Sequence, residues 1–86
     1  MRIKILVRRN LRMTPNKTAA QCVHAALGLY RQNPLECRAC VVLDASDKQF
    51  RDAEAQYPNC YVVVDAGWTE VNPGTKTCLA FYEFTE

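Results

Sequence analysis

Side chains able to bind or activate a substrate recur along one face of a predicted helix. Lys17, Gln21, His24, Gly28 and Arg31 follow a spacing of four, three, four and three residues, which aligns them on a helix surface. The face holds an ammonium, an amide and an imidazole but no acid, and histidine can exchange a proton near neutral pH. A polar helix face is also the usual solvent side, so periodicity alone leaves both interpretations open.

A carboxylate is expected to meet this helix face. Asp65 follows the apolar run at residues 60–64, which predicts a strand that ends at this acid. In sheets with parallel strands, the carboxyl ends of strands and the N-termini of helices lie together and form ligand sites. Asp65 can therefore converge with Lys17 and His24. The alternative is that Asp65 only caps the turn at Gly67, as an Asx turn does.

The elements that must position these groups are readable from hydrophobic patterning. Residues 2–8 predict a strand with Ile3, Ile5 and Val7 on one face and Leu6 on the other. Thr14 and Pro15 predict the start of a helix that runs to Gln32. Its buried stripe is expected to consist of the following residues: Ala19, Val23, Ala26, Leu27 and Tyr30.

The remaining chain predicts a second strand at residues 39–44, a second helix at 47–57, and strands at 60–65 and 76–84. Ser46 and Gln49 form a capping box for the second helix, whose core contacts are Phe50, Ala53 and Tyr57. The order βαβαββ implies one α/β domain over residues 1–86, with parallel helix crossovers in a covered sheet and an antiparallel closing strand.

Charge is divided unevenly along the chain. Residues 1–35 contain seven Lys or Arg and no acid, giving +7, whereas the remainder sums to −5. This asymmetry predicts a basic surface that binds a polyanion. The alternative is that a strand and a helix are merely solubilised by arginine.

Cysteine use and hydropathy exclude other classes. The five cysteines are expected to be reduced, mostly as small core residues, because their number is odd and apolar neighbours are common. Cys37 and Cys40 have CxxC spacing, but one histidine and no second CxxC disfavour a metal site. No apolar run approaches the ~20 residues of a membrane span. We expect a soluble, cytoplasmic protein with no cofactor, no metal and no membrane partner.

Two segments resemble the type II peptidyl-tRNA hydrolases. Residues 11–26, LRMTPNKTAAQCVHAA, resemble the family's first helix, L-x-M-x-x-G-K-x-A-A-Q-x-x-H-A. Residues 65–77, DAGWTEVNPGTKT, resemble D-A-G-x-T-x-I-x-P-G-T-x-T. The resemblance implies a three-layer α/β/α fold with strand order 2-1-4-3 and strand four antiparallel. It also implies hydrolysis, without a metal, of the ester between a peptide and the 3′ end of tRNA.

The same resemblance assigns the candidate site. Its implied catalytic residues are Lys17, His24, Asp65 and Thr69. Its implied substrate-binding residues are Gln21, Thr75, Arg12 and Arg31. Lys17 suits oxyanion or phosphate contact, His24 proton transfer, and Asp65 orientation of His24 or of a water.

The chain also departs from the family pattern. Because the sequence ends at Glu86, we expect it to lack the helix that usually follows the last strand, and residues 32–38 are too short for the family's extra helix. We therefore expect a homodimer that covers exposed sheet surface. Trp68 is expected to be a stacking platform or a lid, and Glu70 places an acid beside a tRNA site. The alternatives to an enzyme are a non-catalytic RNA- or protein-binding module, with RNA held by arginines 8, 9, 12 and 31, and a purely structural dimer domain.

Overall fold

The predicted element order is confirmed by the computed structural model, which describes residues 1–67 and 70–84. Each predicted helix and strand boundary lies within one residue of the observed one. The elements are β1 (Arg2–Arg8), a short 3-10 helix (Arg9–Leu11), α1 (Pro15–Gln32), β2 (Cys40–Ala45), α2 (Asp47–Gln56), β3 (Tyr61–Val64) and β4 (Lys76–Glu83).

The four strands form one mixed sheet in the order β2-β1-β4-β3. β1 pairs in parallel with β2, and β4 is antiparallel to both β1 and β3. β1, β2 and β3 therefore share one direction, so their carboxyl ends lie at one end of the sheet. This arrangement confirms the expected topology and brings the end of β3 to the start of α1.

One helix covers each face of the sheet. Ile3, Ile5 and Val7 of β1 pack with Ala25 and Leu29 of α1 in one core cluster. Leu6 faces the opposite way, into a second cluster built from β4 and α2, with Phe50 and Ala53 buried and Tyr57 partly buried against it. The Tyr57 ring stacks on Phe81 with centroids 3.9 Å apart. The three layers and the predicted α2 contacts are confirmed.

Side-chain caps fix where both helices begin. The Thr14 hydroxyl accepts from the Lys17 amide, and Pro15 occupies the first helical position. Ser46 and Gln49 form the predicted reciprocal capping box, with Gln49 N donating to Ser46 Oγ at 3.1 Å and Ser46 N donating to Gln49 Oε1 at 2.8 Å. These caps satisfy backbone donors that have no partner within the helix.

The predicted buried stripe of α1 is wrong. The buried positions are Gln21, Ala25 and Leu29, whereas Val23 is 58% exposed. The face that α1 turns toward the sheet is set by the hydrogen bond of the Gln21 amide and by close packing at small residues. Hydropathy patterning detects neither effect, so it predicted the wrong face. Of the predicted stripe only Ala26 packs against the core, and the exposed members are Ala19, Val23, Leu27 and Tyr30.

The thiols are all free. Cys78 is buried, and burial raises its pKa to about 12, so this sulfur behaves as an apolar core atom. Cys22, Cys37 and Cys60 pack at the edges of the two clusters, while Cys40 is exposed. Within residues 1–67 and 70–84, no helix has the length and apolar character of a membrane span.

Candidate active site

Asp65 is the centre of a hydrogen-bonded cluster at the carboxyl end of β3. Its Oδ2 accepts from Lys17 Nζ at 2.6 Å and from Gln21 Nε2 at 2.5 Å. Its Oδ1 accepts from the Gly67 amide at 2.6 Å. The side chains of Lys17 and Asp65 are only 14% and 7% exposed, so the pair is largely withdrawn from water. The predicted convergence of helix and strand is observed for these groups.

The backbone around Asp65 holds the carboxylate in place. Asp65 N donates to Thr75 O, and Gly74 N donates to Asp65 O, both at 2.9 Å, so the segment after β3 folds back against the start of β4. Gly67 has φ +81, and a Cβ there would lie 2.5 Å from Pro73 Cγ. Only glycine fits this position, which lets its amide reach Oδ1. The Asx turn and the contact with α1 therefore coexist at one carboxylate.

These donors keep Asp65 ionised. The hydrogen bond from Lys17, followed by that from the Gly67 amide, holds the pKa of the Asp65 carboxyl below its ordinary value of 3.8. A carboxylate so strongly bonded is a weak base. Its chemical value lies in fixing the ammonium of Lys17 and the amide of Gln21 at known positions.

Glu70 joins the loop after β3 to the start of α1. Its two oxygens accept from Thr14 N and Thr14 Oγ1, each at 2.7 Å. These bonds hold the pKa of Glu70 below its ordinary value of 4.5. An anion at a helix N-terminus is favourable. Glu70 therefore has a structural role, which the sequence analysis missed. Glu70 lies 56 residues after Thr14, so no local sequence pattern connects the two residues.

An open cleft extends from this cluster between α1 and β3, with a volume of about 440 Å³. His24 and Arg31 line it from the helix, and Tyr61, Val63 and Val64 line it from the strand. His24 is exposed to solvent at this surface. The imidazole thus shares a cleft with Lys17 and Asp65, although the described donors to Asp65 are Lys17, Gln21 and Gly67.

The floor of the cleft depends on Gly28. A Cβ at Gly28 would lie 2.2 Å from the Tyr61 ring, so the ring rests directly on the helix backbone. The sequence identified Gly28 only by its spacing and gave Tyr61 no role. The two residues are 33 positions apart, so no pattern in a single sequence predicts their contact.

The other predicted site residues are placed differently. Thr75 Oγ1 donates to Asn72 O at 2.7 Å, and Thr75 is not among the cleft-lining residues. Arg12 is exposed with φ 50 at the end of the 3-10 helix, near the start of α1 but outside the cleft lining. Thr69 and Trp68 lie outside the described residues.

Residues 1–35, the basic segment, present fewer unpaired cations than their composition predicts. Four of its seven cations form ion pairs: Arg2 and Lys4 with Glu83, Arg8 with Asp47, and Lys17 with Asp65. Arg8 also donates to Lys76 O and lies over the Phe50 ring. Across the described residues, the cations of this segment that lack an ion pair are Arg9, Arg12 and Arg31. In the same residues, no group of three His, Cys, Asp or Glu side chains is arranged to hold a metal ion.

Proteins of one family resemble this chain over almost its whole length. Residues 1–83 match the family model described as peptidyl-tRNA hydrolase PTH2. The chain is 36% identical over 90 residues to a peptidyl-tRNA hydrolase of Methanopyrus kandleri, covering 87% of this chain and 78% of that protein. It is 33% identical over 92 residues to a peptidyl-tRNA hydrolase of Methanothermobacter thermautotrophicus, covering 92% and 82%.

Eukaryotic relatives are longer than the matched region. The match to peptidyl-tRNA hydrolase 2, mitochondrial, of Bos taurus is 34% identical over 91 residues and covers 87% of this chain. The chain spans about half the length of that relative and of the Saccharomyces cerevisiae peptidyl-tRNA hydrolase 2, with 51% and 49% covered. The archaeal proteins are closer to this chain in length.

Proposed function

The chain belongs to the peptidyl-tRNA hydrolase PTH2 family, and we propose that it hydrolyses the ester joining a peptide, or an N-blocked amino acid, to the 3′ end of tRNA. The observation that carries the proposal is the contact of Lys17 and Gln21 with Asp65 in a cleft that His24 also lines. Products are the free peptide carboxylate and the tRNA 3′ hydroxyl, formed by addition of water.

Lys17 is assigned to the developing oxyanion. Attack of water on the ester carbonyl places negative charge on its oxygen, and a fixed cation stabilises that charge most where water is excluded. The Lys17 ammonium is 14% exposed and held by Asp65, so it needs little reorganisation during reaction. Gln21, held by the same oxygen of Asp65, is assigned to hydrogen bonding with the substrate.

His24 is assigned to proton transfer and Asp65 to positioning. Because the lowered pKa of Asp65 makes it a weak base, a neutral imidazole is the better acceptor for the proton of the attacking water. The resulting imidazolium can return this proton to the leaving ribose oxygen. Thr69 is retained as a hydroxyl that positions the substrate, and Thr75, whose hydroxyl donates to Asn72 O, is assigned to supporting the turn before β4.

Arginines are assigned to the tRNA. Arg9 and Arg12 are exposed at the end of the sheet where Lys17 and Asp65 meet, so they suit phosphates close to the ester. Arg31 lies at the opposite end of the cleft and suits a different part of the substrate. Binding of tRNA should weaken with salt, because each phosphate contact releases counterions.

Turnover of N-acetyl-aminoacyl-tRNA tests the proposal. His24→Ala should lower kcat about 10²–10⁴-fold by removing general acid–base catalysis. Val23→Ala is the matched control, since Val23 neighbours His24 on α1 but is exposed outside the cleft. Equal activity in both variants contradicts the assignment. Salt-sensitive tRNA binding by the wild type without any turnover supports the non-catalytic RNA-binding alternative.

A homodimer and a cytoplasmic location remain part of the proposal. Edge strand β2 leaves Val42 and Leu43 48% and 44% exposed, although its sequence predicted a covered strand. A second copy that covers them would remove apolar surface from water. Sedimentation equilibrium of wild type and Val42→Lys tests the dimer, because an edge lysine disfavours strand pairing. Localisation of a tagged full-length protein tests the compartment.

A further inference from the structure

The cleft follows the outer edge of β3, and we infer that this edge binds the peptide of peptidyl-tRNA through its backbone, as an added parallel strand. The inference rests on the proposed function, since it places the ester beside the Lys17–Asp65 pair. It concerns the substrate arm on the amino-acid side of that ester.

β3 has a free edge. Among the strands within residues 1–67 and 70–84, β3 is outermost and pairs only with β4. An outermost strand presents backbone N–H and C=O groups that can pair with another extended chain. Peptide-binding domains use this mode, in which main-chain hydrogen bonds supply affinity without reading side chains.

The pairing at Asp65 identifies which groups face outward. Both the N–H and the C=O of Asp65 bond to residues 74–75, on the β4 side. Successive residues of a strand direct their backbone groups to opposite edges. Val63 therefore faces β4, and Val62 and Val64 face the free edge. The register shift between Val63 and Val64 places the extra residue in β4, so the alternation along β3 continues without a break.

The direction of the peptide follows from where the ester sits. Asp65 is at the carboxyl end of β3, so the peptide carbonyl lies there and the peptide extends back toward Tyr61. Its chain then runs parallel to β3 over about 13 Å, or about four residues at ~3.3 Å each. The tRNA arm leaves the other way, toward Arg9 and Arg12.

The walls of the cleft suit peptides of varied sequence. Leu27 on α1 and Val64 on β3 are 47% and 58% exposed on its two sides. Exposed apolar side chains next to a free edge provide contact area without demanding a particular partner. A hydrolase of peptidyl-tRNA must accept many peptides, and backbone pairing makes the peptide bond itself the recognised group.

A substrate series on one tRNA tests the inference, with N-acetylated chains of one to six residues. The kcat/KM should rise about threefold to tenfold for each backbone hydrogen bond added, and level off near four residues. N-methylation of single amides in the tetrapeptide should then alternate: an amide facing β3 loses the gain, and its neighbour does not. The neighbouring position is the matched control.

Binding of a non-hydrolysable, amide-linked peptidyl oligonucleotide separates this inference from catalysis. Alternation in affinity supports the edge site even where turnover is absent, in which case the proposed function alone fails. Turnover with no dependence on peptide length overturns the inference and places the terminal adenosine, or solvent, in the groove. A dependence on side-chain identity larger than that on N-methylation also overturns it.

Discussion

Two Lys–Asp pairs in this chain have the same chemistry but different surroundings. Lys48 and Asp52 are 2.8 Å apart, with side chains 79% and 63% exposed, one turn apart on α2. Lys17 and Asp65 are 2.6 Å apart and 14% and 7% exposed, and join α1 to the end of β3. The first pair is a solvated helix contact, worth about 0.3–0.5 kcal/mol.

The difference shows what converts an ion pair into a site. Asp65 has two further donors, Gln21 and the Gly67 amide, each delivered by a different part of the fold. Among the described residues, the side chains of Lys48 and Asp52 bond only to each other, and this exposed pair can re-form in many rotamers. Fixed geometry, low exposure and an adjoining cleft distinguish the Lys17–Asp65 pair, and each feature can be removed separately.

The largest contrast is expected in turnover. Lys17→Met should lower kcat/KM by about 10²–10³-fold, as for loss of an oxyanion donor, whereas Lys48→Met should leave it unchanged. Both variants lose one charge and keep a similar aliphatic stem. Thermal melting of each variant establishes that it folds. Similar kinetics for the two folded variants would remove the functional distinction between the pairs.

Removing the scaffold around Asp65 should have a smaller effect on turnover. Gly67→Ala brings a Cβ against Pro73 and displaces the amide that binds Oδ1, so kcat/KM should fall by up to about 10²-fold. Gly74→Ala is the control, because Gly74 has a similar φ of +82 but open space around a Cβ. An equal loss in the two variants would attribute the effect to backbone strain alone.

The smallest expected effect is on how the free energy of unfolding depends on pH. Because the folded-state pKa of Asp65 is lowered, its contribution is complete above the ordinary value of 3.8 and is lost as pH falls through the lower folded value. The free-energy difference between wild type and Asp65→Asn should therefore shrink as pH falls from about 5 to 2. Urea unfolding measures it, with Asp52→Asn as the control for removing a carboxylate. A difference that stays constant with pH contradicts the Lys17–Asp65 contact.

The sequence predicted those parts of the fold that local rules control. Strand alternation and the Thr14 and Ser46 caps gave each boundary to within one residue, and the crossovers indicated the parallel strands, whereas the strand order 2-1-4-3 came from the family resemblance. The orientation of α1 could not be predicted, since it depends on a buried amide that binds an acid 44 residues away. Hydrophobic patterning predicted that Val23 lies in the core. In the structure Gln21 is buried instead, because its amide bonds to Asp65.

The site divides in the same way. Lys17, Gln21, His24 and Asp65 were identified from spacing and resemblance, and their placement around one cleft follows from topology. Glu70 and Tyr61 were missed because their partners are distant in the chain. Charge counting overestimated the basic surface, because it could not reveal that Glu83 and Asp47 neutralise cations of the first segment.

The resting of the Tyr61 ring on Gly28 has a consequence for redesign. In most helices, replacing an interior glycine by alanine stabilises by about 0.5–1 kcal/mol. Here the added methyl group would clash with the Tyr61 ring. Gly28→Ala should therefore destabilise the fold unless residue 61 is replaced by a smaller one at the same time. The two positions are coupled in one direction: an alanine at position 28 needs a smaller residue at position 61, whereas a smaller residue at 61 leaves Gly28 without a clash.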